Sequence, residues 1–159
     1  MADEAVAQGA ARQVVVETEI AAPPDRVFRA LLSVEDLEAW WSEEGTQREV
    51  RWEIEPRVGG RWRSTGNDDA CGDWEMHGEI VILDRPRVLA YTWEETSAKG
   101  HGSSGRTLVR YDLMPTATGT RVRVTHSGFG STEAAEAYRT GWPTVMDVLR
   151  RHCESGPGR

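Results

Sequence analysis

Apolar and charged residues alternate along most of the middle of the chain. The run Val14–Ile20 predicts a first strand, which Pro23 and Pro24 end. Six further segments alternate with period two and predict six consecutive strands, with a polar loop over residues 64–73. Their apolar positions are Val50, Trp52 and Ile54; Trp62; Trp74, Met76, Ile80 and Ile82; Leu89, Tyr91 and Trp93; Val109, Tyr111 and Leu113; and Val122, Val124 and His126. Because each strand has one apolar face, we predict an antiparallel sheet that is covered on one side.

Two short helices are predicted between the first and second strands. Residues 24–32 carry a helical apolar face that begins at a proline, which suits the first turn of a helix. Ser33 can cap a second short helix that carries Leu37, Trp40 and Trp41.

A longer helical pattern lies near the C-terminus, where apolar residues recur at helical spacing from Ala134 to Leu149. Pro143 falls inside it, and proline removes a helical hydrogen bond and clashes with the preceding turn. We therefore expect either a kink at Pro143, or a short helix from Ser131 followed by a main helix that begins near Pro143.

This element order predicts an α+β fold: a seven-stranded curved antiparallel sheet wrapped around a long C-terminal helix, with two short helices between strands 1 and 2. One helix seldom fills the concave face of such a sheet, so a cavity is expected between them. Residues 13–154 form the predicted domain, and 1–12 and 155–159 are predicted to be disordered tails.

Composition and charge narrow the functional classes. The net charge is −7, from 26 acidic and 19 basic residues, which argues against nucleic acid or an anionic membrane as a partner. No apolar stretch approaches the about 20 residues of a membrane-spanning helix. Two cysteines are too few for a disulfide framework. The acidic N-terminus does not resemble a signal peptide, and a cytoplasmic location is therefore expected.

Seven tryptophans are more than a domain of this size usually uses to fill space. We expect about half of the large inward side chains to line the cavity. The candidate ligand-binding residues are Trp41, Trp52, Trp62, Trp74, Met76, Tyr91, Trp93, Tyr111, His126, Phe129, Trp142 and Met146.

His126 has two interpretations. Parity places it on the apolar face, where it could bind a polar ligand group or act as an acid or base. The favoured interpretation is structural, with the ring bonded to a nearby backbone carbonyl at the turn that follows.

Other signals are weaker. Residues 100–105 match G-x-G-x-x-G, but a strand follows instead of the helix that a dinucleotide site requires, and a hairpin tip is predicted. Asp68, Asp69, Cys71, Asp73 and His77 lack the spacing of a metal site, so no metal and no cofactor are predicted. Glu94 and Glu95, near the end of a strand, are expected to be solvated and without a catalytic role, and no catalytic residue is predicted.

Several short motifs, in order, resemble one family. They are Asp36–Trp41, Val58–Trp62, His77–Ile80, Arg85–Trp93, Thr125–Phe129 and Gly141–Trp142. Together they are similar to the SRPBCC superfamily, in the branch of bacterial homologues of the heat-shock protein 90 ATPase activator. The resemblance implies the helix-grip fold of START domains, with a deep apolar cavity between the sheet and the C-terminal helix.

Three functions follow from these observations. The favoured one is binding of a small hydrophobic or aromatic molecule, such as a lipid, a polyketide or another metabolite, in the cavity. The alternatives are a chaperone-associated ATPase-activator-like interaction domain, or a cyclase- or hydrolase-type enzyme that uses His126 with Tyr91 or Tyr111 as a proton partner. A non-catalytic role is favoured over an enzyme, and a homodimer is left open by analogy.

Overall fold

The computed structural model describes residues 12–41, 47–68, 72–97 and 105–155, although the side chains of 47–49, 68 and 97 are not described. Within these ranges the chain forms seven strands and four helices. In order they are β1 Val14–Ile20, α1 Pro24–Leu32, α2 Val34–Trp40, β2 Gln47–Ile54, β3 Arg61–Asp68, β4 Gly72–Asp84, β5 Val88–Ser97, β6 Thr107–Pro115, β7 Thr120–Ser127, α3 Thr132–Arg139 and α4 Gly141–Ser155.

All seven strands belong to one sheet in the order β1-β7-β6-β5-β4-β3-β2, and every pair of neighbours is antiparallel. The sheet curves around the C-terminal helices, which confirms the predicted fold class. Because β1 and β2 form the opposite edges of the sheet, the chain after β1 must cross its concave face, and α1 and α2 make that crossing.

The two faces of the sheet differ as the alternation predicts. On β7, Val124 and His126 are buried, whereas Arg121 and Arg123 are exposed. On the outer face Arg123 pairs with Glu17 of β1 at 2.7 Å. Cross-strand charge pairs of this kind reinforce register while the apolar face supplies the core.

The segment 64–73 is not the predicted loop. β3 continues to Asp68, β4 begins at Gly72, and the two strands pair throughout, while residues 69–71 lie outside the described ranges. Gly66 lies opposite Trp74, and a Cβ on Gly66 would collide with that indole. Small and polar residues occupy this part of the strand because the tryptophan of the neighbouring strand covers it, and composition alone therefore suggested a loop.

The C-terminal helical segment is divided, as the second alternative for Pro143 predicts. The Ser131 hydroxyl accepts a hydrogen bond from the Ala134 backbone N–H at 3.1 Å and caps α3. A separate helix, α4, then begins at Gly141. Pro143 lies in its first turn, where the missing N–H would have had no helical acceptor.

A polar cluster joins three helices on the concave side of the sheet. Asp36 of α2 accepts a hydrogen bond from Nε2 of His152 in α4 at 2.8 Å, and lies 3.2 Å from the guanidinium of Arg26 in α1. Burial alone would raise the pKa of Asp36, but His152 and Arg26 outweigh it and hold that pKa below its ordinary value.

In the described part of the chain, no helix is both long and apolar enough to span a membrane.

Candidate functional site

A continuous layer of aromatic rings covers the concave face of the sheet. Trp52 stacks on Trp62 with centroids 5.5 Å apart, and Trp62 contacts Tyr91 at 4.8 Å and Trp93 at 5.3 Å. Trp93 in turn lies 6.1 Å from Trp142 of α4. These rings interlock across the interior, so they fill much of the space that the curved sheet would otherwise enclose.

An apolar cavity of about 140 Å³ lies between β4, β5 and the two C-terminal helices. Five of the twelve predicted residues line it: Trp41, Trp74, Met76, Trp93 and Trp142. Its other lining residues are Glu95, Ala137, Tyr138, Gly141 and Val145. Ala137 and Gly141 are exposed and mark where the cavity meets solvent.

The other seven predicted residues do not line this cavity. Trp52, Trp62, Tyr91, Tyr111, His126, Phe129 and Met146 are all buried in the core around it. The cavity is consequently smaller than the deep one that the resemblance implies, since typical ligand pockets measure roughly 300–1,000 Å³. Ring stacking explains the difference, because each of these side chains fills part of the volume.

Trp62 illustrates why an inward-facing ring can belong to the core and not to the cavity wall. It lies opposite Gly78 of β4, and its indole N–H donates to the Thr92 carbonyl of β5 at 3.0 Å. A Cβ on Gly78 would collide with that carbonyl and approach the indole nitrogen. The glycine therefore lets the tryptophan reach across a whole strand, which removes its ring from the cavity wall.

His126 lies at the centre of a buried hydrogen-bond chain. Its Nδ1 is 3.1 Å from the Trp142 indole nitrogen, and its Nε2 is 2.7 Å from the Thr107 hydroxyl. That hydroxyl donates to the backbone carbonyl of Trp93 at 2.9 Å. The structural interpretation therefore fits, but the partners are two side chains rather than the expected backbone carbonyl.

The proton partners suggested for an enzyme are also enclosed. The Tyr91 hydroxyl lies 3.4 Å from that of Tyr111, and both side chains are buried away from the cavity wall. Burial raises the pKa of both phenols well above the ordinary value. Both nitrogens of His126 are already occupied, so these three groups form internal structure in this arrangement.

Glu95 is a polar residue of the cavity wall that the sequence analysis left without a role. Its carboxylate accepts a short hydrogen bond from the Tyr138 hydroxyl of α3. Burial raises the pKa of Glu95, and the Tyr138 hydrogen bond opposes that rise without cancelling it. Strand parity could have found this residue, because Glu95 shares its face of β5 with Tyr91 and Trp93.

Three buried indoles lack a well-placed acceptor among the described residues. The Nε1 atoms of Trp52 and Trp74 make no hydrogen bond there, and that of Trp93 makes none of normal geometry, although it lies near enough to the Glu95 carboxylate to act as a donor and lower the pKa of that group. Trp74 and Trp93 belong to the cavity wall, whereas Trp52 does not. Most of the cavity wall is thus apolar surface, but the wall also contains hydrogen-bonding groups.

A larger depression of about 730 Å³ lies on the opposite, outer face of the sheet. Charged side chains of its wall form ion pairs: His77 pairs with Glu94 at 3.2 Å, and Arg63 pairs with the neighbouring Glu75. Charged and polar residues form most of its wall, with Ile54 and Trp62 as the apolar ones, so it is an open surface groove rather than an apolar small-molecule pocket. Among the described residues, no group of three His, Cys, Asp or Glu is placed to hold a metal ion, and Asp69, Cys71 and residues 100–104 lie outside them.

The curved sheet, the C-terminal helices against its concave face and the interior cavity define a helix-grip domain of the SRPBCC type. The chain belongs to the family of activator of Hsp90 ATPase homolog 1-like proteins, whose sequence pattern matches residues 21–154. This result confirms the resemblance. It also supports a ligand-binding helix-grip domain in general terms.

Solved structures with the same fold come from several bacteria. Protein MLL2253 from Mesorhizobium loti is 29% identical with a TM-score of 0.69, over 89% of this chain and 96% of that one. Protein CV1439 from Chromobacterium violaceum is 21% identical with a TM-score of 0.75, over 91% and 99%. DynU16, from the dynemicin biosynthetic locus, is 19% identical with a TM-score of 0.70, over 91% and 48%. No curated protein matches the chain significantly.

Proposed function

We propose that this chain binds a small hydrophobic or aromatic molecule in the cavity between the sheet and its C-terminal helices. The observation that carries the proposal is the cavity itself, about 140 Å³ with walls formed largely by tryptophan rings. An apolar cavity of about 150 Å³ engineered into another protein stays dry and binds benzene. A single aromatic ring, or a chain of similar width, therefore matches the space.

The position of the cavity supports the proposal further. It lies at the junction of α3 and α4, beside the exposed residues Ala137 and Gly141, so a ligand has a path from solvent. A longer ligand can leave part of its length outside the mouth. Aromatic walls favour flat or polarisable ligands, because stacked and edge-to-face contacts add to the energy of burial.

Titration with simple aromatic probes tests the proposal. Benzene, toluene and indole are added to the purified chain while tryptophan fluorescence and thermal unfolding are followed. We expect saturable one-to-one binding and, at a tenfold excess over Kd, a gain of about 1.4 kcal/mol in the free energy of unfolding. If no probe changes either signal up to its solubility limit, the proposal is wrong.

The family's description raises a second function, association with a chaperone ATPase. Under that alternative, adding the chain to the bacterial heat-shock protein 90 increases the rate of ATP hydrolysis. Under the binding proposal the rate stays at its basal value, with or without an aromatic probe. A steady-state ATPase assay therefore separates the two functions.

A further inference from the structure

Two indole N–H groups in the cavity wall make no hydrogen bond of normal geometry in the described part of the chain, although the Glu95 carboxylate lies near one of them, that of Trp93. They are the indole N–H groups of Trp74, which is 6% exposed, and Trp93, which is 3% exposed. Nearly all buried polar groups in native proteins find a partner. Leaving a buried donor without one costs about 1–3 kcal/mol. Two such donors in the wall of one cavity therefore need an explanation.

Other buried indoles of the same domain are satisfied within the protein. Trp40 donates to the Ala30 carbonyl at 2.9 Å and Trp62 to the Thr92 carbonyl at 3.0 Å, while Trp142 donates to His126. The core can thus supply acceptors to indoles. For Trp74 and Trp93, the space beside them is the cavity, so the missing acceptor has room to arrive with a ligand.

We propose that the ligand of this cavity is a neutral aromatic or apolar molecule that carries a carbonyl-type oxygen, which accepts a hydrogen bond from the indole N–H of Trp74 or Trp93. Ketones, aldehydes, esters and quinones have this chemistry. The inference rests on the proposed binding function and names its ligand class. The apolar part of the ligand fills the ring-lined space, and the oxygen completes the hydrogen bonding of the wall.

Charge in the same wall disfavours the two ionic alternatives, a carboxylate ligand and an ammonium ligand. A carboxylate ligand would meet Glu95 inside the cavity and a protein with a net charge of −7. An ammonium ligand would pair with Glu95, which already accepts a hydrogen bond from Tyr138. An ammonium group has only donors, so it offers no acceptor to an indole N–H. It would leave the Trp74 indole donor unpaired, so a neutral acceptor satisfies more of the wall.

A pair of probes with nearly the same shape isolates the oxygen. Acetophenone carries a carbonyl where α-methylstyrene carries a methylene group. Proton–nitrogen correlation spectra of the protein follow every indole N–H as each probe is added. We expect acetophenone to move the Trp74 or Trp93 indole proton downfield, as a new hydrogen bond requires, and α-methylstyrene to leave both without that shift. Trp40 and Trp62, already bonded to carbonyls, are internal references.

Removing the donors without changing the wall's shape provides the second arm. Benzothienylalanine replaces the indole N–H by sulfur, and is placed separately at Trp74, Trp93 and Trp52. For each protein, the Kd of acetophenone is divided by the Kd of α-methylstyrene, which cancels general effects on packing. We expect this ratio to rise about tenfold for the substitution at the bonded position, Trp74 or Trp93, and to stay constant at Trp52, which is unpartnered but outside the cavity wall.

The outcomes separate this inference from the proposed function. If both probes bind but no indole proton shifts and the ratio is constant, the carbonyl inference is wrong while the binding function stands. If neither probe binds, both fail. If protonated α-methylbenzylamine binds more tightly than acetophenone, and Glu95→Gln abolishes that preference, the cavity recognises a cation and the inference is overturned.

Discussion

The indole nitrogen of Trp142 lies 3.1 Å from Nδ1 of His126, and this contact fixes where the histidine carries its proton. An indole nitrogen only donates, so Nδ1 of His126 must accept. A neutral imidazole then carries its hydrogen on Nε2, which donates to the Thr107 hydroxyl at 2.7 Å. One residue of α4 therefore determines the tautomer of a residue of β7, and locks the main helix onto the sheet.

The first prediction concerns the protonation of His126. Burial lowers its pKa from 6.5 to about 3, since a charged ring would be desolvated and would also lose the bond from Trp142. Nitrogen NMR of the imidazole should show a neutral ring with its proton on Nε2 from pH 8 to about pH 4. Titration near pH 6.5, or a proton on Nδ1, would contradict the hydrogen-bond chain.

The same pKa shift predicts how stability depends on pH. The unfolded chain protonates this histidine near pH 6.5, whereas the folded chain does not until about pH 3. The stability associated with the group is therefore complete above pH 6.5 and decreases as the pH falls toward 3, by at most about 1.4 kcal/mol per pH unit. Urea unfolding at several pH values measures this slope. His126→Gln, which does not titrate, should reduce it.

A second prediction concerns Thr107, which connects His126 to the Trp93 carbonyl. Thr107→Val keeps the shape but leaves the His126 N–H and that carbonyl without partners, at a cost of about 2–4 kcal/mol. Thr107→Ser keeps the hydroxyl and loses one methyl group, which costs about 1 kcal/mol. Denaturant unfolding compares the two. Equal stability of the valine and serine variants would show that the hydroxyl is not an essential link.

Much of the fold was predictable because the sheet is covered on one side. On β7 the inward-facing Val122 and Val124 alternate with the exposed Arg121 and Arg123. The alternation of apolar and charged residues is therefore visible in the sequence. The pattern failed at Ser64 and Gly66, where the inward positions are small. The ring of Trp74 on the adjacent strand covers Gly66, and that contact depends on pairing that is distant from any local signal.

The cavity wall was less predictable than the fold. Strand parity identified the inward-facing residues. Which of them line the cavity depends in addition on the direction that each side-chain ring takes from its strand. Trp62 leaves the wall because Gly78 allows it to reach Thr92, whereas Trp93 remains there. Parity also places Glu95 on the inward face, but a carboxylate near the end of a strand usually lies in water, so parity alone does not predict its place in the wall.

A third prediction concerns Asp36, which joins α1, α2 and α4. Asp36→Asn removes the charge that pairs with Arg26 and His152 and should cost about 2–4 kcal/mol, since a largely buried cation would lose its partner. The pKa of Asp36 is lowered on folding, so its stabilisation is present above the ordinary value of 3.8 and is lost as the pH falls through its lower folded pKa.

Asp25→Asn provides the matched control for this cluster. Asp25 pairs with Arg85 at 3.0 Å, but the two side chains are 73% and 45% exposed. An exposed pair contributes about 0–1 kcal/mol. Chemical denaturation of both variants at pH 7 should therefore separate them clearly. A loss at Asp36 no larger than that at Asp25 would mean that the three-helix cluster does not stabilise the fold.

The last prediction closes the cavity from its mouth. Gly141 is exposed, lines the cavity and begins α4, and a Cβ built on it meets no atom within 4 Å. Gly141→Leu therefore adds a side chain at the mouth without a clash, and we expect it to weaken binding of aromatic probes at least tenfold while the melting temperature of the free protein holds or rises. Gly130→Leu is the control, because Gly130 also has open space around its Cβ position but is not part of the cavity wall. Fluorescence titration of both variants with toluene measures the difference. If the Gly141 variant binds toluene as tightly as the Gly130 variant, the probe does not enter through this mouth, and the binding site has been placed wrongly.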